Sequence, residues 1–140
     1  MIKDDIKFVN ETILQVGSLK GITNIGLKSD RETLYKMLDK RVDSMFNEGL
    51  LDEAERLYKM NLKNYTNIIG YKELNEYFNG NISLDEAKEL IKRNTRRYAK
   101  RQFTWFNNQM KDIKWFNVNY DNFYDTIKEI ENYLGGLCEK

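Results

Sequence analysis

The stretch SLDEAKELIKRNTRRYAKRQFTWFN, residues 83–107, decides how this chain is read. Ser83 followed three residues later by Glu86 is a capping box. The serine hydroxyl can accept from the Glu86 amide while the glutamate reaches back to the Ser83 amide. It opens the longest predicted helix, about Leu84 to Asn107. Lys92, Arg93, Arg96, Arg97, Lys100 and Arg101 place six positive charges within ten residues, and no acid occurs between Lys92 and Asn108. At about 100° per residue, these six occupy one half of the helical wheel. Ile91, Thr95, Tyr98, Ala99, Gln102, Trp105 and Phe106 occupy the other.

Outward from this helix the chain is mostly helical in period. Asp30 is a predicted N-cap for a helix from Arg31 to Asn47, with Leu34, Leu38, Val42 and Met45 at spacings of three and four and a stop at Gly49. A second helix is expected over Leu51–Met60, and a third over Gly70–Phe78, ended by Asn79-Gly80-Asn81. A last amphipathic helix is expected over Asn122–Leu134, ended by Gly135-Gly136. Ile6, Val9, Ile13 and Leu14 suggest a further helix within residues 1–21. Ile22–Gly26 and Lys114–Val118 read as short strands. No repeat and no low-complexity linker divides the chain, so residues 1–140 are taken as one domain. The fold class is mainly α, with one or two isolated short strands. A strand without a partner nearby suggests that part of a sheet lies outside this chain.

Composition removes several function classes. The chain has 140 residues, no Pro, no His and a single Cys, Cys138. Without His, neither Ser-His-Asp nor Cys-His catalysis is available, nor any His-ligated metal. One Cys cannot form an internal disulfide, which fits a reducing compartment. No apolar run reaches the ~18–20 residues that span a bilayer, and Met1-Ile2-Lys3-Asp4-Asp5 is not followed by the apolar core of a secretory signal. A cytoplasmic protein with no membrane association is expected. The formal net charge is only +1. With the six cations of the stripe set apart from the 23 Lys and Arg, the remaining 17 face 22 acids, so a near-neutral total conceals one cationic face.

Two readings of that face are available. It can be a solvated helix surface, or it can bind a polyanion. From Lys92 onward the helix offers no carboxylate to pair with it at i,i+4, which favours phosphate binding. Aromatic residues beside Arg suit stacking on unpaired bases of RNA. Phe103, at the border of the basic face, is the stacking candidate; Trp105 and Phe106, on the apolar face, are expected in the core.

Four blocks of residues then resemble a known family. Lys100-Arg101-Gln102-Phe103-Thr104-Trp105-Phe106, preceded by Asn94-Thr95-Arg96-Arg97-Tyr98-Ala99, closely resembles the C-terminal signature of the tRNA dimethylallyltransferases, also called isopentenyltransferases. Ile69-Gly70-Tyr71-Lys72-Glu73 resembles a second signature. Gly26-Leu27, Asp30-Arg31-Glu32, Leu34-Tyr35, Lys40-Arg41-Val42-Asp43 and Met45, with Gly49-Leu50-Leu51-Asp52-Glu53, resemble the preceding blocks. They occur in the family's order and cover residues 26–105. The resemblance implies a helical fragment of a P-loop-type α/β enzyme. Such enzymes transfer dimethylallyl from dimethylallyl diphosphate to N6 of the adenosine 3′ of the tRNA anticodon, and Mg²⁺ is expected for the complete enzyme.

Site residues follow from the resemblance one by one. Arg41 matches an arginine that resembles a diphosphate ligand; the alternative is a surface salt bridge with Glu53 or Asp39. The implied tRNA-binding set is Gly70, Tyr71, Lys72, Arg93, Arg96, Arg97, Lys100, Arg101, Gln102, Phe103 and Thr104. Asn107 stands where the family usually has Arg. No Gly is followed by Lys, so the family's diphosphate-holding loop is not in this sequence, and neither is its basic Asp. The expected role is therefore the C-terminal, tRNA-binding portion of such an enzyme. It carries no catalytic residue, metal ligand or cofactor of its own, and the isolated chain is expected to be inactive. The expected partners are a tRNA anticodon stem-loop and, with the rest of the enzyme, dimethylallyl diphosphate. A stand-alone RNA-binding module and a protein-interaction domain remain as alternatives.

Overall fold

The computed structural model describes residues 22–62 and 64–138. The helix expected within 1–21 lies outside them. The described elements run β1 (Asn24–Lys28), α1 (Arg31–Asn47), α2 (Leu50–Lys59), α3 (Tyr71–Phe78), α4 (Leu84–Gln109), β2 (Ile113–Asn117) and α5 (Phe123–Cys138). They group into two units: residues 29–109, which hold α1 to α4, and the segments on either side, which hold β1, β2 and α5. The fold class read from the sequence is the one observed: mainly helical, with two short strands.

In the helical unit, local chemistry sets the helix ends. The Thr33 amide donates to Asp30 Oδ1 at 2.9 Å, satisfying one of the free amides of α1. A hydrogen bond with the Thr33 side chain, and then this amide bond, holds the Asp30 carboxyl below its ordinary range. The capping box of α4 forms in both directions, Ser83 N to Glu86 Oε2 at 2.8 Å and Glu86 N to Ser83 Oγ at 3.2 Å. Val42 from α1, Leu50 and Ala54 from α2, Leu74 from α3, and Ala87 and Ile91 from α4 form the buried core. Each helix gives one apolar stripe to a shared centre, as amphipathic helices do. α4 packs on both α1 and α3.

The second unit answers the question of the isolated strands. β1 and β2 are each other's partners in a two-stranded parallel sheet, with Asn24 opposite Ile113 and Lys28 opposite Asn117. Sequence reading misses this pairing because parallel partners are necessarily remote in the chain. At Gly26, a Cβ would lie 2.5 Å from Trp115 Cε3 and 2.6 Å from Ile113 Cγ2. The close approach of the two strands therefore requires glycine. α5 packs on β2 through Phe116 and Tyr133, ring centroids 5.6 Å apart. The buried Thr126 hydroxyl accepts from the Asn119 amide at 2.9 Å and donates to Asn117 O. The expected stop at Gly135-Gly136 does not occur. α5 runs through both glycines to Cys138, neither of them at positive φ. Glycine lowers helix propensity by only ~1 kcal/mol, which a continuing hydrogen-bonded helix can absorb. No helix among the described residues is long and apolar enough to cross a membrane.

Candidate nucleic-acid interface

α4 is the spine of the candidate site, and its two ends differ. Ala87 and Ile91 sit in the core. Just beyond them, Lys92 Nζ lies 2.8 Å from Asp43 Oδ1 and 4.0 Å from Glu89 Oε1, and Arg96 is ion-paired with Asp39. The hydrogen bond from Lys92 to Asp43, with the charge of that carboxylate, raises the Lys92 ammonium above its ordinary value against the opposing effect of burial. The sequence of α4 predicts six unpaired cations on this face. Two of them are paired, because α1 lies alongside and presents Asp39 and Asp43. These acids are remote in sequence, so inspection of α4 alone does not reveal them.

Arg93, Arg97, Lys100 and Arg101 are exposed and have no ion pair among the described residues. The Arg101 guanidinium lies 5.8 Å from the centre of the Tyr98 ring. Arg97, Lys100 and Arg101 line a concavity of about 510 Å³ together with Thr104, Trp105, Asn108 and Gln109. Like charges held this close repel one another in water, and a bound polyanion relieves that repulsion. Gln102 is exposed, and the Thr104 hydroxyl donates back to Lys100 O at 2.9 Å.

The aromatic residues divide differently from expectation. Phe103 is 45% exposed, as a stacking residue must be. Trp105, expected in the core, is 37% exposed and meets Phe106 edge-on, with centroids 5.0 Å apart. The apolar period of α4 continues into these turns, but none of residues 101–105 is buried. Periodicity identifies a face; it does not say whether anything covers that face. Trp105 thus joins the cationic residues around the concavity.

The second candidate element is the turn into α3. Gly70 occupies φ 100°, a backbone region that L side chains rarely adopt, and caps the helix. Its amide donates to Glu73 Oε2 at 2.8 Å. Glu73, only 4% exposed, accepts through its other oxygen from Asn94 Nδ2 at 2.6 Å. The turn is thereby tied to the middle of α4. Neither Glu73 nor Asn94 stands out as a site residue in the sequence. The Gly-x-x-Glu spacing, a capping box without the serine, is the available signal. Lys72 is exposed beside this tie. Tyr71 is half-buried; its hydroxyl donates to Glu53 Oε1 at 2.9 Å, and its ring meets Tyr65 edge-on. Burial first, then the Glu53 contact, pushes the Tyr71 phenol up.

Arg41 is exposed on α1. Asp39 is held by Arg96 and Glu53 accepts from Tyr71, and neither salt bridge considered for Arg41 forms among the described residues. Arg41 lies two residues from both Asp39 and Asp43, so it faces roughly away from the side of α1 that meets α4. The structure therefore does not bring Arg41 beside the basic face. No group of three or more acidic or Cys side chains among the described residues is placed to hold a metal ion.

Residues 9–109 match the family model described as IPP transferase. A tRNA dimethylallyltransferase from Bacillus pumilus is 50% identical over 115 residues, covering 80% of this chain and 36% of the relative. The full-length tRNA isopentenylpyrophosphate transferase of Bacillus halodurans superposes with a TM-score of 0.73 at 42% identity, over 88% of this chain and 42% of that one. The tRNA delta(2)-isopentenylpyrophosphate transferase of Staphylococcus epidermidis gives 0.75 at 35% identity, over 90% and 41%. The chain spans a little over a third of the length of the curated relatives it matches. With four ordered sequence blocks, a family match over most of the chain and a shared fold, this chain belongs to the IPP transferase family.

Proposed function

We propose that this chain is the tRNA-holding, C-terminal portion of a tRNA dimethylallyltransferase. The complete enzyme would transfer dimethylallyl from its diphosphate to N6 of the adenosine 3′ of the anticodon, in the cytoplasm. The observation that carries the reading is the exposed set Arg93, Arg97, Lys100 and Arg101, without ion pairs among the described residues, with Phe103 and Trp105 beside it. Arginines can fork onto backbone phosphates, and the aromatic rings offer faces to bases splayed from a loop. Lys72 supplies a further cation from the Gly70 turn. Arg41, exposed and without an acidic partner among the described residues, is available to a diphosphate, where a guanidinium would stabilise charge developing on the leaving group. Exposed Ile25 and Leu27 on a two-stranded parallel sheet suit a larger sheet completed by the rest of the parent protein.

Binding of a labelled anticodon stem-loop, followed by fluorescence anisotropy across a salt series, tests this reading. Four phosphate contacts predict a log–log slope of roughly −3 to −4. A flat salt response, or equal binding after charge reversal at Arg97 and Arg101, would overturn it and favour a protein-interaction domain. Incubation of the isolated chain with tRNA, Mg²⁺ and dimethylallyl diphosphate should yield no modified adenosine by mass spectrometry.

A further inference from the structure

Two basic elements, the Gly70–Lys72 turn and α4, are joined by one buried carboxyl group. Glu73 holds the Gly70 amide with one oxygen and the Asn94 amide group with the other, at 2.8 and 2.6 Å. Its burial, at 4% exposure, means that each oxygen depends on its protein partner rather than on water. Asn94 stands between Arg93 and Arg96 in the basic run, and Lys72 immediately precedes Glu73. Gly70, at positive φ, gives the turn a conformation that the Glu73 bond then fixes.

We propose that Glu73 and Asn94 are positioning residues that lock Lys72 to the arginines of α4, so that the two elements grip one folded RNA hairpin as a rigid pair. This rests on the RNA-binding reading above. A rigid pair of cationic elements recognises a fixed spacing of phosphates, which a hairpin presents and a linear strand must be ordered to present. Loss of the tie frees the turn. Lys72 then keeps its charge and loses its place, and the preference for hairpin over linear RNA falls.

The pairing chemistry supplies a rescue. Asn94→Asp sets two acidic groups face to face and removes the donor. Adding Glu73→Gln restores both bonds. The oxygen of the introduced glutamine accepts from the Gly70 amide, and its amide group donates to the new carboxylate. The experiment uses the whole chain and measures hairpin and linear RNA binding across a salt series, with a thermal melt of each variant. In the wild type, Lys72→Ala should make the hairpin slope shallower by about one unit. In the N94D background Lys72→Ala should change nothing, and in E73Q/N94D its effect should return along with the hairpin preference. Asn94→Ala, which removes the donor without adding charge, takes the place of N94D should the latter not fold. A Lys72→Ala effect of full size in N94D or N94A, or its absence from a folded E73Q/N94D, overturns the inference. A role in stability alone would move the melt and leave the Lys72 effect intact. A wild-type chain with no salt dependence would instead overturn the RNA reading on which the inference stands.

Discussion

Residues 84–96 and 97–109 belong to one continuous helix, and both carry arginines and apolar residues, yet their surroundings differ. In the first stretch Ala87 and Ile91 are buried, Lys92 and Arg96 are paired with acids of α1, and Asn94 holds Glu73. From Arg97 to Trp105 no side chain is buried. The same residue types thus act as packing and anchorage in one half and as an exposed cationic, aromatic surface in the other. Charge and periodicity are properties of the helix alone; role depends on what the fold sets beside each turn.

The largest expected effect separates the halves by stability. Ile91→Ala should cost ~2–4 kcal/mol of folding free energy, because a buried Ile leaves a cavity that the helices fill only in part. Denaturant unfolding measures it, and the salt slope of hairpin binding by the folded fraction should not change. A loss below about 1 kcal/mol would erase the distinction. Phe103→Ala should act on binding instead, costing ~1–3 kcal/mol of hairpin binding with little change in slope. The arginines sharpen the boundary further. Arg97→Ala and Arg101→Ala should each make the slope shallower by about one unit. Arg96→Ala should change it by much less, because Arg96 already faces Asp39. An equal change at all three positions would place the boundary before Arg96. The smallest effect concerns pH. The Lys92 ammonium is raised in the folded state by Asp43, so its stabilisation is fully present below its ordinary titration range near 10.5 and is lost as pH rises through the raised value. For a surface-type pair this amounts to under ~1 kcal/mol. It should appear as a shallow alkaline fall in melting temperature that is absent from Asp43→Asn.

Much of the local structure is legible in the sequence. The predicted helix Arg31–Asn47 matches α1 in full, and the capping box places the start of α4, because both depend on residues within one turn of the helix end. Other features depend on partners far along the chain. The Asp39–Arg96 and Asp43–Lys92 pairs, the Glu73–Asn94 bond and the β1–β2 pairing each join segments that only the fold brings together. Trp105 shows the same limit in reverse: the sequence assigns it to the apolar face, and that face is bare at its turn. Nothing local marks where a helix outruns the layer that covers it. Among the candidate site residues, the four exposed cations of α4 and Phe103 keep the accessibility their expected roles require, while Tyr71 has its hydroxyl committed to Glu53.

The parallel pairing of β1 with β2 has a consequence for the order of folding. Asn24 meets Ile113 only when the two ends of the intervening chain are drawn together, and the entropic cost of closing a loop rises with its length. Helix contacts within residues 29–109 are made over shorter separations and should form first, shortening the effective loop. The sheet is then a late event. In pulsed hydrogen exchange during refolding, the amides of β1 and β2 should gain protection after those around Leu74 and Ile91, with Gly26 among the last places where the chain closes on itself.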